Sequence, residues 1–341
     1  KFMADKKLLG ITILVIAVIA VIGAIAVFYT STPSGEHVTL MFGFTPNVGY
    51  APFYTAAAKG FYAEEGLNVS FQHTTEGGVG VIKTLGGGKA EFGYAGDSTV
   101  ITARAQGVGM VAVQRIIQKT LFGVYSKKEL NITEPHDLIG KKVAFPAPVG
   151  PPITVFKIIL TKSGINFTEI EPLYVGGALI STHLAGDADA FMAYLPQKVI
   201  AESISGTKMN EISASNYTTM GRTYLFTTEK MIKEHPDIVR KFVRATQRGL
   251  EYAVLHPEEA VDAFIKYNPD AAEKRQLHLA LWKAMAERGF DRDAQGNPIF
   301  HLPSEDDWAE KQEQMYDAGA IDKKTDVSKL YTDEFVRNLI K

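Results

Sequence analysis

From His37 onward the chain alternates short apolar runs with stretches of helical character, and the alternation begins again near Lys142. Val38–Phe44 reads as a strand, Ala51–Lys59 as a helix stopped by Gly60, and Asn68–His73 as a second strand. Val79–Leu85 and Ser98–Ala105 read as helices, with strand-like runs at Glu91–Ala95 and Met110–Gln114. The second series places strands at Lys142–Phe145, Glu169–Val175 and Ala188–Ala193, and helices at Ile153–Lys162 and Leu179–Leu184. Strand–helix–strand units in series demand a mostly parallel sheet with helices on both faces, because each parallel pairing needs a crossover lying over one face. Two series predict two α/β lobes.

Beyond Tyr224–Phe226 the pattern turns almost wholly helical. Pro236 opens a long helix to about Leu255, Pro257 opens the next, and Ser304 with Asp307 resembles a capping box before Trp308. Val111–Tyr125 leaves the first series and Thr223–Thr227 the second. If both segments cross between lobes, the C-terminal helices return to the first. That arrangement predicts lobe one at residues 36–118 and 225–341 and lobe two at 119–224. A two-strand hinge would join them beside a cleft.

Ahead of the lobes, Leu8 to Phe28 is apolar apart from Thr12 and carries no charge. Its 21 residues would span roughly 30 Å as a helix, the thickness of a bilayer core. Residues 1–30 are therefore expected to be a membrane anchor, and Ser31-Thr-Pro-Ser-Gly35 a linker. Ala24-Ile-Ala26 keeps open a cleavable signal instead. Lys6 and Lys7 precede the span, which places the lobes outside the cytoplasm. Four N-x-[ST] sequons, at Asn68, Asn131, Asn166 and Asn216, are compatible with an exported surface protein. No cysteine occurs, which excludes disulfides, thiolate metal sites, a cysteine nucleophile and a lipobox. A net charge of −2 gives no global attraction to nucleic acid.

The segment Phe44-Thr-Pro-Asn-Val-Gly-Tyr-Ala-Pro-Phe-Tyr-Thr-Ala-Ala-Ala-Lys-Gly-Phe-Tyr-Ala-Glu-Glu-Gly-Leu-Asn-Val69 resembles the opening of a superfamily of solute-binding proteins. Its members take thiamine-pyrimidine precursors, riboflavin, alkanesulfonates, taurine and nitrate. The likeness continues through Gly86-Gly-Gly-Lys-Ala-Glu-Phe-Gly-Tyr-Ala-Gly-Asp97, Leu138-Ile-Gly-Lys-Lys-Val-Ala-Phe145 and Gly186-Asp-Ala-Asp-Ala-Phe-Met-Ala-Tyr194. Trp308 to Asp322 and Tyr331-Thr-Asp-Glu-Phe335 look most like the pyrimidine and riboflavin binders. The resemblance implies a two-lobed type II periplasmic-binding-protein fold. It also implies a small-molecule ligand, a monomer, no cofactor, and partners in an ABC permease and its ATPase.

In open α/β sheets, ligands bind beyond the carboxyl ends of strands. Four such places are legible. Asn47, Tyr50 and Phe53 follow the first strand; Asp97, Ser98 and Thr99 follow Glu91–Ala95. Pro146, Gly150 and Thr154 follow Lys142–Phe145, and Tyr194 and Gln197 follow Ala188–Ala193. Tyr174 adds a further aromatic face. Each has a plainer reading: Asn47 as a turn residue, Asp97 and Ser98 as a helix cap, Tyr50 and Tyr194 as packing. Taken as ligand groups, the tyrosines and Phe53 would stack on a flat heteroaromatic, and Asn47, Asp97 and Gln197 would read its donors and acceptors. A carboxylate at Asp97 would favour an aminopyrimidine over an anion. The alternative is a small anion such as an alkanesulfonate, taurine or nitrate, held by Ser98, Thr154 and helix N-termini.

The family also includes a pyrimidine synthase that consumes its own histidine and a bound pyridoxal phosphate. The resemblance places that histidine at Tyr50 and the cofactor lysine at about Ala95, and the synthase's cysteine-rich motif is absent. Catalysis is therefore not expected. A membrane-tethered receptor without transport coupling is a further alternative.

Overall fold

In a computed structural model describing residues 35–148 and 150–340, two five-stranded sheets form the two lobes. Glu36–Phe42 (β1) lies parallel to Leu67–His73 (β2) on one side and Phe92–Gly96 (β3) on the other. Met110–Ile117 (β4) closes the first sheet. The second sheet holds Phe122–Lys127 (β5), Lys142–Phe145 (β6), Glu171–Tyr174 (β7), Ala190–Tyr194 (β8) and Met209–Ser213 (β9). Thr223–Thr228 (β10) returns to the first sheet. The orders are β2-β1-β3-β10-β4 and β7-β6-β8-β5-β9.

Each sheet has one antiparallel member, β10 in the first and β5 in the second. Both are the strands that the chain enters directly from the other lobe. A strand reached without a helical crossover has no means of returning in the parallel sense, so the crossings account for both exceptions.

The helices are Ala51–Ala58 (α1), Phe61–Glu64 (α2), Gly78–Gly86 (α3), Ser98–Ala105 (α4), Pro151–Lys162 (α5), Leu179–Ala185 (α6) and Leu195–Ser205 (α7). The C-terminal region adds Glu229–Glu234 (α8), Pro236–Leu255 (α9), Pro257–Tyr267 (α10), Arg275–Arg288 (α11) and Glu305–Asp317 (α12). Helix α9 buries Val239, Phe242, Val243, Thr246, Leu250 and Ala253, spaced as one helical face should be. Phe242 stacks on Phe92 of the first sheet at 4.0 Å and on Tyr62 at 4.9 Å. Helix α9 also lies so close to α1 that a Cβ at Gly249 would stand 2.5 Å from the Pro52 carbonyl oxygen. The C-terminal helices therefore pack on the first lobe.

Residues 118–121 form one crossing and 214–222 the other. The backbone N–H groups of Gln118 and Lys119 donate to the Gly289 carbonyl at 2.9 and 3.0 Å. The Leu121 carbonyl instead accepts from Leu195 of the second lobe at 2.8 Å. At Gly221, with φ +93°, a Cβ would lie 2.6 Å from the Phe122 ring and 2.7 Å from Thr120 Oγ1, so the crossings touch there.

Several elements differ from the sequence expectation. Strand β1 ends at Phe42, which leaves Phe44 in the following loop. Ser304 does cap α12, accepting from the Asp307 N–H at 3.3 Å, but the Asp307 carboxylate turns away to bind basic side chains. The expected span Leu8–Phe28 lies outside the described residues. Among the described residues no helix is long and apolar enough to cross a membrane.

Candidate functional site

The candidate residues at and beyond the carboxyl ends of β1, β3, β6, β7 and β8 fall into three groups. The first group is spent on local structure. Asn47 Oδ1 accepts from the Gly49 N–H and its Nδ2 donates to the Thr45 carbonyl, both at 3.0 Å, so the carboxamide is used by its own turn. Phe53 is fully buried against Tyr94, with ring centroids 5.0 Å apart, and belongs to the core of the first lobe. Thr99 is buried at the start of α4 and fits there because Gly78 has no side chain; a Cβ at Gly78 would meet its Oγ1 at 2.4 Å. Thr154 Oγ1 donates to the Gly150 carbonyl at 3.1 Å.

Asp97 belongs to this group too, and for a reason that the local sequence does not reveal. Its carboxylate, 1% exposed, accepts from the Gly221 N–H at 3.0 Å and the Ser98 N–H at 3.0 Å, and it pairs with Lys311 Nζ at 3.2 Å. Lys311, on α12, is itself fully buried; it also reaches Asp307 at 3.0 Å and the Tyr224 hydroxyl at 3.2 Å. Arg222 and Arg115 join Asp307 at 3.1 and 3.4 Å. Burial opposes the charge on Lys311, but Tyr224, Asp97 and Asp307 outweigh it and hold its pKa above the ordinary lysine value. Burial likewise opposes charge on Asp307, yet Lys311 and Arg222 hold that carboxyl below its ordinary range. Asp97 thus clamps the second crossing to α12.

The second group is exposed or half-buried. Phe44 is 61% exposed and Tyr174 46% exposed. Phe44 follows β1, which neighbours edge strand β2, and Tyr174 ends edge strand β7. Both edges lie on the side away from the β4–β5 and β9–β10 crossings, so the two aromatics stand at the far edges of the sheets, one in each lobe. Pro146 is half-buried and Gly150 exposed, at φ +107° before α5. Ser98 is half-exposed at the start of α4. Phe44 escaped the sequence reading because it was taken as the last residue of the strand; the signal was a large aromatic between Gly43 and the Pro46 turn.

The third group lies at the hinge end. Tyr194 faces Phe122 edge-on at 5.1 Å, and burial pushes its phenol well above the ordinary value. Its hydroxyl and Gln197 Oε1 are shielded from solvent without a hydrogen-bond partner among the described residues. Buried polar atoms are nearly always paired, so these two stand out. Tyr50 is different: it stacks on Phe42 at 4.1 Å, its hydroxyl holds the Phe44 backbone, and burial pushes its pKa up to about 12. It supports the site from beneath.

This architecture, two mixed α/β lobes joined by two crossings around a cleft, is that of a periplasmic-binding-type protein. The periplasmic aliphatic sulphonate-binding protein SsuA of Escherichia coli superposes with a TM-score of 0.70 at 15% identity, over 87% of this chain and 92% of that one. The family model described as NMT1/THI5 like matches residues 47–260, and the chain belongs to that family. It is 25% identical to the riboflavin-binding protein RibY of Chloroflexus aurantiacus, over 89% of this chain and 87% of the relative. It is also 25% identical to the formylaminopyrimidine-binding protein of Halalkalibacterium halodurans, over 73% and 78%. A 4-amino-5-hydroxymethyl-2-methylpyrimidine phosphate synthase of Legionella pneumophila is 22% identical, over 88% and 92%.

Proposed function

We propose that this chain is the solute-binding component of an ABC importer and captures a small, flat heteroaromatic molecule between its lobes. The observation that carries the ligand class is the exposure of two aromatics beyond strand ends of opposite lobes, Phe44 and Tyr174; in this reading they flank the mouth of the cleft. A ring entering between them gains two stacking faces, while Tyr194 OH and Gln197 Oε1 supply a donor and an acceptor deeper in. Contact with both lobes gives the ligand higher affinity for the closed arrangement, which shifts the population toward closure. The relatives that bind riboflavin and formylaminopyrimidine support a ring ligand. The permease, the ATPase, the monomeric state and the membrane anchor belong to this proposal.

The anion reading keeps one specific support. Asp97 is neutralised by Lys311 and turned toward Gly221, so it no longer opposes an anion at Ser98. The choice therefore rests on the aromatics and the ring-binding relatives. The synthase chemistry of the Legionella relative finds less support: position 50 is a tyrosine engaged with Phe44, position 95 an alanine, and the chain has no cysteine.

A thermal-shift series with riboflavin, an aminopyrimidine, a sulfonate, taurine and nitrate tests the proposal. A ligand at 100 times its Kd stabilises the folded state by about 2.7 kcal/mol. A rise in melting temperature with riboflavin or the aminopyrimidine is expected. A rise with sulfonate, taurine or nitrate alone would replace the ring reading with the anion reading.

A further inference from the structure

Phe44 is exposed, yet its backbone is held on both sides. Its N–H donates to the Tyr50 hydroxyl at 3.1 Å, and that hydroxyl lies 3.4 Å from the Phe44 carbonyl oxygen. The same carbonyl lies 3.0 Å from Nδ1 of His73, the last residue of β2. A carbonyl only accepts, so this contact requires the proton on Nδ1. The other ring nitrogen, Nε2, lies 3.2 Å from the Tyr54 hydroxyl, which donates to it when the ring is neutral. Phe42 stacks on the His73 ring at 5.0 Å and Tyr50 tilts against it at 5.9 Å. The Phe44 ring in turn sits over Gly77, at φ +62°, where a Cβ would approach its Cζ to 3.3 Å.

Nothing in an exposed loop requires such a strap. An aromatic that must stack on a ligand benefits from it, because a side chain already fixed in place loses less freedom on binding. We infer that His73 is a positioning residue for the cleft: with Nδ1–H on the Phe44 carbonyl and Nε2 facing the Tyr54 hydroxyl, it ties the Phe44 loop to β2 and to α1. The inference rests on the reading of Phe44 as a ligand face. The titratable groups facing the imidazole are the phenols of Tyr50 and Tyr54, both raised by burial to about 12 and so uncharged. No carboxylate among the described residues forms an ion pair with it. Burial among these rings lowers the His73 pKa, outweighing the Phe44 carbonyl that raises it.

Two measurements on the full-length protein test this. The first is nitrogen-15 spectroscopy of the histidine rings. It is expected to show His73 as the neutral Nδ1–H tautomer at pH 7.5; an Nε2–H tautomer would overturn the inference. The second compares His73→Leu, which removes both hydrogen bonds, with His73→Asn, which keeps a donor and cannot titrate. Riboflavin affinity, read by flavin fluorescence, should fall about tenfold in the leucine variant at pH 7.5. It should stay within about threefold in the asparagine variant. Equal affinities for wild type and His73→Leu would overturn the inference.

If riboflavin binds none of the three, the strap is still tested. A fluorinated phenylalanine at position 44 should then report one fixed environment in wild type and His73→Asn and an averaged one in His73→Leu. Identical spectra in all three would overturn the strap.

Discussion

Replacing Asp97 by asparagine separates two roles that one residue could play. The carboxylate accepts from two backbone N–H groups, Gly221 and Ser98, and faces the fully buried Lys311 ammonium at 3.2 Å. An amide keeps one oxygen for the backbone but turns an NH2 toward donors that need an acceptor. Breaking a buried ion pair from one side costs about 3–5 kcal/mol. Lys311 retains Asp307 at 3.0 Å, which places the loss near the lower end, about 3 kcal/mol. At about 2–4 °C per kcal/mol for a chain of this order of size, the melting temperature should fall by roughly 6–12 °C. Calorimetric unfolding at pH 7.5 reads this, and titration with the bound ligand at 20 °C, where the variant is still folded, reads affinity. The account predicts a large stability loss with affinity within about threefold of wild type. A melting temperature within about 2 °C of wild type together with a tenfold loss of affinity would refute the structural role and return Asp97 to the ligand.

Two further predictions concern the scaffold. Gly249→Ala sets helix propensity, which favours alanine by about 1 kcal/mol, against a Cβ placed 2.5 Å from the Pro52 carbonyl oxygen and 2.6 Å from Ala56 Cβ. Neither neighbour is a flexible side-chain end, so the clash should win by about 2 kcal/mol; a raised urea midpoint would contradict the close approach of α9 and α1. His183 is fully buried, its Nδ1 bonded to the Ala188 carbonyl at 2.9 Å, and burial lowers its pKa. Below pH 6.5 the unfolded chain therefore binds a proton that the fold resists, and stability should drop between pH 6.5 and 5, with a shallower slope in His183→Gln. Asp307, whose pKa is also lowered, sheds its contribution only at more acidic pH, as its folded carboxyl is protonated. Urea unfolding at pH 7.5, 5 and 3.5 distinguishes the two windows.

The sequence reading succeeded where period and punctuation carry the information. The paired series of strands and helices, Gly60 ending α1 and Pro236 opening α9 are local signals and appear in the fold where expected. It was incomplete where meaning depends on a distant partner. Asp97 carries the residue type of a helix cap or a ligand hook; its partner Lys311 stands in a run, Glu305-Asp-Asp-Trp-Ala-Glu-Lys311, that resembles any solvated helix start. The available hint was Trp308 and Met315 at helical spacing around that lysine, which marks the same face as buried. Helix α7 is not among the helices read from the sequence, although Tyr194 and Gln197 are placed after the strand that precedes it. Pro196 in fact stands in the first turn, where it is tolerated. Phe53 and Tyr50 lie where a ligand-facing loop should be, but the helix that begins at Ala51 turns Phe53 into the core and leaves Tyr50 beneath the loop.

The central claim is that a flat ring is held between the two lobes at Phe44. The measurement that tests it most directly is the affinity of Phe44→Ala for the ring ligand selected by the thermal-shift series, beside its melting temperature without ligand. Phe44 is 61% exposed, so its loss should leave the melting temperature within about 2 °C of wild type. Losing one stacking face should weaken binding by tenfold or more, since such a face is worth on the order of 0.5–1.5 kcal/mol beyond its buried area. Unchanged affinity would place the ligand elsewhere and contradict the account.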